Sequence, residues 1–72
     1  MKKIKKIKIR VNGKVKMVVD KISLFKLINN LNIPLKKVAI ELNKKILNKK
    51  KLNKVKLKKN DIIEIVHFIG GG

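Results

Sequence analysis

Apolar and polar positions alternate strictly from Ile7 onward. Ile7, Ile9 and Val11 fall on one side of an extended chain, and Lys8, Arg10 and Asn12 on the other, which is the period of a strand with one face buried. Asn12-Gly13 follows, a pair suited to the positive φ angles of a two-residue type I′ turn. Val15, Met17 and Val19 then resume the alternation, so residues 7–19 are predicted to form a β-hairpin. The period next changes to that of a helix. Leu24, Leu27, Ile28 and Leu31 stand at i, i+3, i+4 and i+7, with Lys26, Asn29 and Asn30 opposite. Ser23 is placed to cap the first turn, and Ile22 and Leu27 have the spacing of a hydrophobic staple. Asn32 supplies a left-handed exit and Pro34 forbids continuation, so the helix is predicted over Leu24 to Leu31.

Val38, Ile40 and Leu42 alternate with Ala39 and Glu41 and predict a third strand. Asn43-Lys44-Lys45 turns the chain, Ile46-Leu47 is a short fourth strand, and residues 48–54 read as a loop with one helical turn. Val55 and Leu57 look like anchors of that loop to the core. After a turn at Asn60-Asp61, the run Ile62 to Ile69 contains only Glu64 and His67 as polar residues. A strand so apolar is expected inside the sheet, covered on both faces over much of its length. Its natural pairing is parallel, along the free side of the first strand, with the helix in the crossover. The prediction is an α+β roll of the β-grasp (ubiquitin-like) kind: a mixed four- to five-stranded sheet with one main helix packed across it, residues 1–69 as one domain and 70–72 as a flexible glycine tail.

Composition narrows the picture. A chain of 72 residues has room for one core and buries only about 60% of the surface it exposes when unfolded. Cysteine is absent, so disulfides, zinc thiolates and thiol nucleophiles are excluded, and a reducing cytoplasm is the expected location. The opening MKKIKKIKIR has the charge of a signal peptide without its apolar stretch, and no segment has the length of a membrane span.

The net charge is +17, and polyanions are the obvious suspicion. Yet 21 Lys+Arg include the single Arg10, leaving 20 lysines, so the arginine fork that grips phosphate and guanine is nearly missing. Stacking aromatics are missing too, since two Phe are the whole aromatic set. Lysine is spread along the chain beside an excess of Ile and Asn, three residues with AT-rich codons. The preferred reading is a solvated surface, with nucleic acid only as a non-specific electrostatic partner.

Catalytic material is thin. Asp20 and Asp61 sit at turns, where such side chains bond nearby backbone. Glu41 and Glu64 occupy alternating strand positions and are expected to face outward opposite lysines. Ser23 is better explained as a cap than as a nucleophile, and His67 lacks further ligands for a metal. The chain is not expected to be an enzyme, nor to bind a cofactor or metal of its own.

The distinctive stretch is HFIGGG, His67 to Gly72. A terminal carboxylate is ionised at neutral pH and can attack an activated phosphate once a partner holds both. Residues without Cβ atoms pass channels too narrow for others, and three of them reach about 10 Å beyond a folded body. A frayed end is the plain alternative. Together with VAIELNKKIL at Val38 to Leu47, KKNDIIEIVHFIGGG at Lys58 to Gly72, and the Asn-Gly hairpin with its following helix, this ending resembles the ubiquitin-like sulfur carriers, in particular the thiamine-biosynthesis sulfur carrier family.

The resemblance implies a chemistry. An adenylating (E1-like) enzyme would use ATP and Mg²⁺ to join AMP to the Gly72 carboxylate, sulfur from a persulfide donor would displace AMP, and a thiazole synthase would draw on the resulting thiocarboxylate. Gly70, Gly71 and Gly72 would thread the partner's channel. Val66, Phe68 and Ile69, beside the tail, are the candidate docking residues, because alternation prevents all of them from facing the core.

Two departures accompany the resemblance. Lys44 and Asn60 stand in turns where the family often has Gly, and Lys44 implies a turn that is longer or of another type. The charge of +17 is unusual for the family and points to a partner with an acidic docking face. A related carrier of the molybdopterin type, a ubiquitin-like protein modifier, and a basic nucleic-acid-binding domain are the alternatives.

Overall fold

A computed structural model describes residues 3–68 of the chain. Five strands form one sheet in the order β2-β1-β5-β3-β4: β1 is Lys6–Val11, β2 Lys14–Val19, β3 Val38–Leu42, β4 Lys45–Ile46 and β5 Ile62–His67. The helix α1, Leu24–Asn30, follows the hairpin, and two 3₁₀ helices, Leu35–Lys37 and Lys49–Lys54, flank the β3-β4 hairpin. Strand β5 lies in the middle of the sheet, parallel to β1 and antiparallel to β3. The architecture is the mixed β-grasp roll expected from the pattern.

Local chemistry explains the elements. The Ser23 side chain accepts the Lys26 N–H at 3.1 Å and opens α1, and Asn32 leaves it at φ +58°. Leu24, Leu27 and Ile28 on the inner stripe of α1 are buried against Ile7, Ile9 and Val18 of the first hairpin, Val38 and Ile40 of β3, and Ile63 and Ile65 of β5. Leu52 and Leu57 complete this core and are fully buried. The segment that carries them is tied beside the helix start, where the Leu24 N–H bonds the Val55 carbonyl at 2.8 Å and the Leu57 N–H bonds the Ile22 carbonyl at 2.9 Å.

Several expectations need correction. Val15, Met17 and Val19 do not join Ile7 and Ile9 on the core face. A two-residue turn pairs Val11 with Lys14 and Ile7 with Val18, so the apolar residues of β2 sit opposite Arg10, Lys8 and Lys6 on the outer face and are exposed. Only Val18 reaches the core from β2.

Strand β5 ends at His67 and is covered on one face: Ile63 and Ile65 are buried, whereas Ile62, Glu64 and Val66 are exposed. Because α1 covers only the inner side of the sheet, central position in the hydrogen-bonded order does not bury the outer side. Strand β4 begins one residue earlier than expected, since Asn43 and Lys44 both adopt positive φ (+51° and +71°) and close a two-residue turn. Lys44 therefore does not lengthen the turn. Residues 49–54 form a 3₁₀ helix rather than a loop with one turn, and Leu35–Lys37 adds another.

Candidate functional site

The site is built where β5 ends. His67 pairs with Val38 and Val66 with Ala39 across the antiparallel ladder, and the Phe68 N–H extends that ladder by donating to the Lys37 carbonyl at 2.9 Å. Alternation then decides direction. Val66 points to the outer face and is 53% exposed, and Phe68, beyond the strand end, is 50% exposed. His67 is exposed as well. Ile69, Gly70, Gly71 and Gly72 lie outside the described residues.

On the other side of the same ladder, Asn12 replaces a strand. Its backbone N–H bonds the Ile63 carbonyl at 2.9 Å, its side-chain oxygen accepts the Ile65 N–H at 2.7 Å, and its side-chain nitrogen donates to the Ile65 carbonyl at 3.2 Å. The turn residue thus continues the β1-β5 pairing after β1 has ended. Asn43, the corresponding residue of the second hairpin, accepts the Ile62 N–H at 2.9 Å and donates to Asp61 at 3.0 Å. Asp61 in turn accepts the Lys58 N–H at 2.8 Å, the backbone role expected of a turn aspartate. Two asparagine amides therefore grip β5 from its two flanks.

Lys49 closes the site from the 3₁₀ helix. Its half-buried ammonium donates to the carbonyls of Leu35 at 2.7 Å and Val38 at 2.8 Å, and it lies 5.3 Å from the centroid of the Phe68 ring. Nothing in the lysine pattern singles this residue out from its neighbours Lys50 and Lys51. Its position after the cap Asn48, whose side chain accepts the Lys50 N–H at 2.9 Å, is the only sequence signal that fixes where it points.

The outer sheet face extends the site away from the strand end. Lys6, Lys8 and Arg10 form a row on β1, flanked by Val15, Met17 and Val19 on β2 and by Ile62 on β5. Residues two apart on a strand are about 6.6 Å apart, so three cations line a length of about 13 Å. Two shallow depressions of about 360 and 400 Å³ meet at Lys8, and Lys5, Arg10, Lys58 and Lys59 contribute to their walls beside Met17 and Ile62. Nearer the strand end, Glu41 and Glu64 face outward but lie directly opposite each other rather than opposite lysines. The face is thus basic and apolar at one end, with an acidic pair between that end and Val66.

Among the described residues there is no group of three His, Asp or Glu side chains able to hold a metal ion. Nor is any helix there long and apolar enough to cross a membrane. Ser23 is occupied as the helix cap, and among the described residues Asp20 pairs with Lys5, at 3.9 Å. What the arrangement offers is a presented strand end beside a broad face, which suits recognition by another protein.

Comparison with known proteins is consistent with that use. The model of the ThiS family matches residues 9–72. The crystal structure of a thiamine biosynthesis protein (ThiS) from Geobacter metallireducens superposes with a TM-score of 0.81 at 28% identity, covering 92% of this chain and 100% of that one. A solution structure of a thiamine biosynthesis protein from the same organism gives a TM-score of 0.72 at 28% identity, over 92% of this chain and 88% of that one. Among curated proteins no significant match is found.

Proposed function

This chain belongs to the ThiS family, and from that premise we propose that it is a sulfur carrier protein of thiamine biosynthesis, loaded at the carboxyl group of Gly72. The observation that carries the reading is the family match, which runs through the glycine ending to residue 72. The likeness to proteins described as thiamine biosynthesis proteins supports it.

The chemistry follows from a carboxylate with no side chain beside it. A Gly72 oxygen attacks the α-phosphorus of ATP, pyrophosphate leaves with Mg²⁺, and an acyl-adenylate results. The terminal sulfur of a persulfide then attacks the carbonyl carbon and AMP departs, which leaves an acyl disulfide. A thiol of the donor or activating enzyme takes the outer sulfur into a disulfide, and the thiocarboxylate is released for a thiazole synthase to consume. Gly70 and Gly71 let the backbone enter the activating enzyme's site without Cβ clashes. ATP and Mg²⁺ belong to that enzyme, and the carrier itself contributes recognition rather than catalysis.

Recognition is assigned to the outer face. Val66 and Phe68 stand at the strand end, Glu41 and Glu64 separate them from a second apolar group of Ile62, Met17 and Val15, and Lys6, Lys8 and Arg10 form the basic part of the face. An activating enzyme that fits this face presents apolar side chains beside a line of carboxylates. Self-association through the same face is opposed by the charge of +17 on each copy.

The test is direct. The full chain is incubated with ATP, Mg²⁺, the adenylating enzyme of the same genome and a persulfide source, and its intact mass is followed. An AMP adduct followed by exchange of one oxygen for sulfur is expected. An unchanged mass with every adenylating enzyme tried overturns the reading.

A further inference from the structure

Among the lysines of the described residues, Lys49 stands apart in what its ammonium touches. An ammonium has three N–H donors. Two of them are spent on the carbonyls of Leu35 and Val38, and the charge lies against the face of the Phe68 ring. Those two carbonyls belong to the segment that receives the end of β5, since the Phe68 N–H bonds Lys37 between them in sequence. One side chain from the second 3₁₀ helix therefore ties the start of β3 to the residue at which the chain leaves the sheet. Phe68 is half-exposed, so core packing alone does not fix its ring.

From this geometry we propose that Lys49 is a positioning residue for loading at Gly72: it fixes Phe68, the last described residue before the glycine ending, as the anchor from which the activating enzyme takes up the carboxyl end. The proposal rests on the carrier reading above. Lys49 touches no reacting atom. Its effect is to fix that anchor before the partner engages, which lessens the ordering needed in the complex and raises the fraction of encounters with the carboxylate aligned on the phosphorus. The cation over the ring acts on the side chain and the paired carbonyls act on the backbone it pairs with, so both constraints converge on a single residue.

The experiment measures pyrophosphate release by the adenylating enzyme with the full-length carrier and its variants. Lys49→Met keeps the aliphatic stem and removes charge and donors, Lys49→Arg restores a cation and donors, and Phe68→Leu keeps an apolar side chain and removes the ring. Loss of positioning is expected to lower kcat about three- to tenfold in Lys49→Met, with KM within about twofold because Val66 and the β1 row of the outer face are untouched. Lys49→Arg recovers most of the rate. Phe68→Leu shows a comparable loss of kcat, with KM raised as well because Phe68 is also part of the docking surface, and the kcat of the double variant is no lower than that of the slower single one, as for two residues acting through one contact.

The proposal is overturned if Lys49→Met lowers the melting temperature while kcat stays at the parent value. It is equally overturned if the kcat losses of Lys49→Met and Phe68→Leu multiply. Absence of pyrophosphate release with the parent chain fells the carrier reading itself, and this proposal with it.

Discussion

The side-chain amide of Asn12 pairs with Ile65 as a strand residue would, accepting its N–H at 2.7 Å and donating to its carbonyl at 3.2 Å. The contact joins residues 53 positions apart, and it closes the β1-facing edge of β5 at a point where β1 has already turned away. Asn12→Gly keeps the turn, because Asn12 sits at φ +50° and glycine adopts that angle freely. It leaves both polar groups of Ile65 without their partner. A loss of about 1–3 kcal/mol is expected, read from the urea midpoint at constant m-value. Hydrogen exchange localises it: the Ile65 amide should lose protection before the amides of Ile7 and Ile9 do.

Lys44 holds φ +71° with a full side chain, in a turn whose other residue, Asn43, is already committed to β5. A left-handed conformation costs a non-glycine residue about 1–2 kcal/mol, and glycine gives part of that back through the entropy of the unfolded chain. Lys44→Gly should therefore stabilise by about 0.5–1 kcal/mol net. In a chain of this size such a change raises the melting temperature by about 2–8 °C. A lower melting temperature would mean that the lysine side chain contributes something its exposed position does not reveal.

How much of this was legible beforehand depends on the range over which each signal acts. Strand, helix and turn identities are local, and Ser23, Asn32, Asn12-Gly13 and the alternation of Val38 to Leu42 all read directly. The assignment of faces is not local, yet one part of it was available: a two-residue turn between Val11 and Lys14 forces odd positions of β1 to pair with even positions of β2. Applied to the hairpin, that arithmetic puts Met17 opposite Lys8 and leaves Val18 as the core residue. The exposure of Val66 was only partly available: alternation with Ile63 and Ile65 turns it from the core, but hydrophobicity cannot distinguish a side chain covered by a second layer from one kept apolar for a partner. Lys49 was invisible for a different reason. Its role depends on where residues 35, 38 and 68 arrive in space, and sequence spacing carries no trace of that.

Leu52 illustrates the same limit inside the core. It sits in a lysine-rich stretch, KKKLNK, that reads as solvent-exposed, yet it is fully buried under the sheet. Leu52→Ala should cost about 2–5 kcal/mol, a large share of what a domain of this size has available. The measurement is chemical denaturation of the variant against Lys51→Ala, whose exposed side chain predicts a change within about 0.5 kcal/mol. Similar midpoints for the two variants would show that the 3₁₀ helix does not pack as a part of the core.

The basic row of the outer face makes a prediction about rate rather than stability. Lys6, Lys8 and Arg10 are exposed and paired with apolar neighbours, so Lys8→Glu should leave stability within about 0.5 kcal/mol of the parent. Against a partner that docks carboxylates on that row, reversal of the central charge turns attraction into repulsion and slows encounter more than it speeds departure. Adenylation kcat/KM should fall about tenfold in dilute buffer, and the deficit should shrink toward none as salt shortens the Debye length to about 3 Å near 1 M. Val66→Ser separates the apolar contribution, since a weakened apolar contact lowers kcat/KM by a factor that salt does not erase. If the parent chain is loaded at a rate indifferent to ionic strength, the lysines of β1 are solvated surface after all, and docking rests on Val66, Ile62 and Met17 alone.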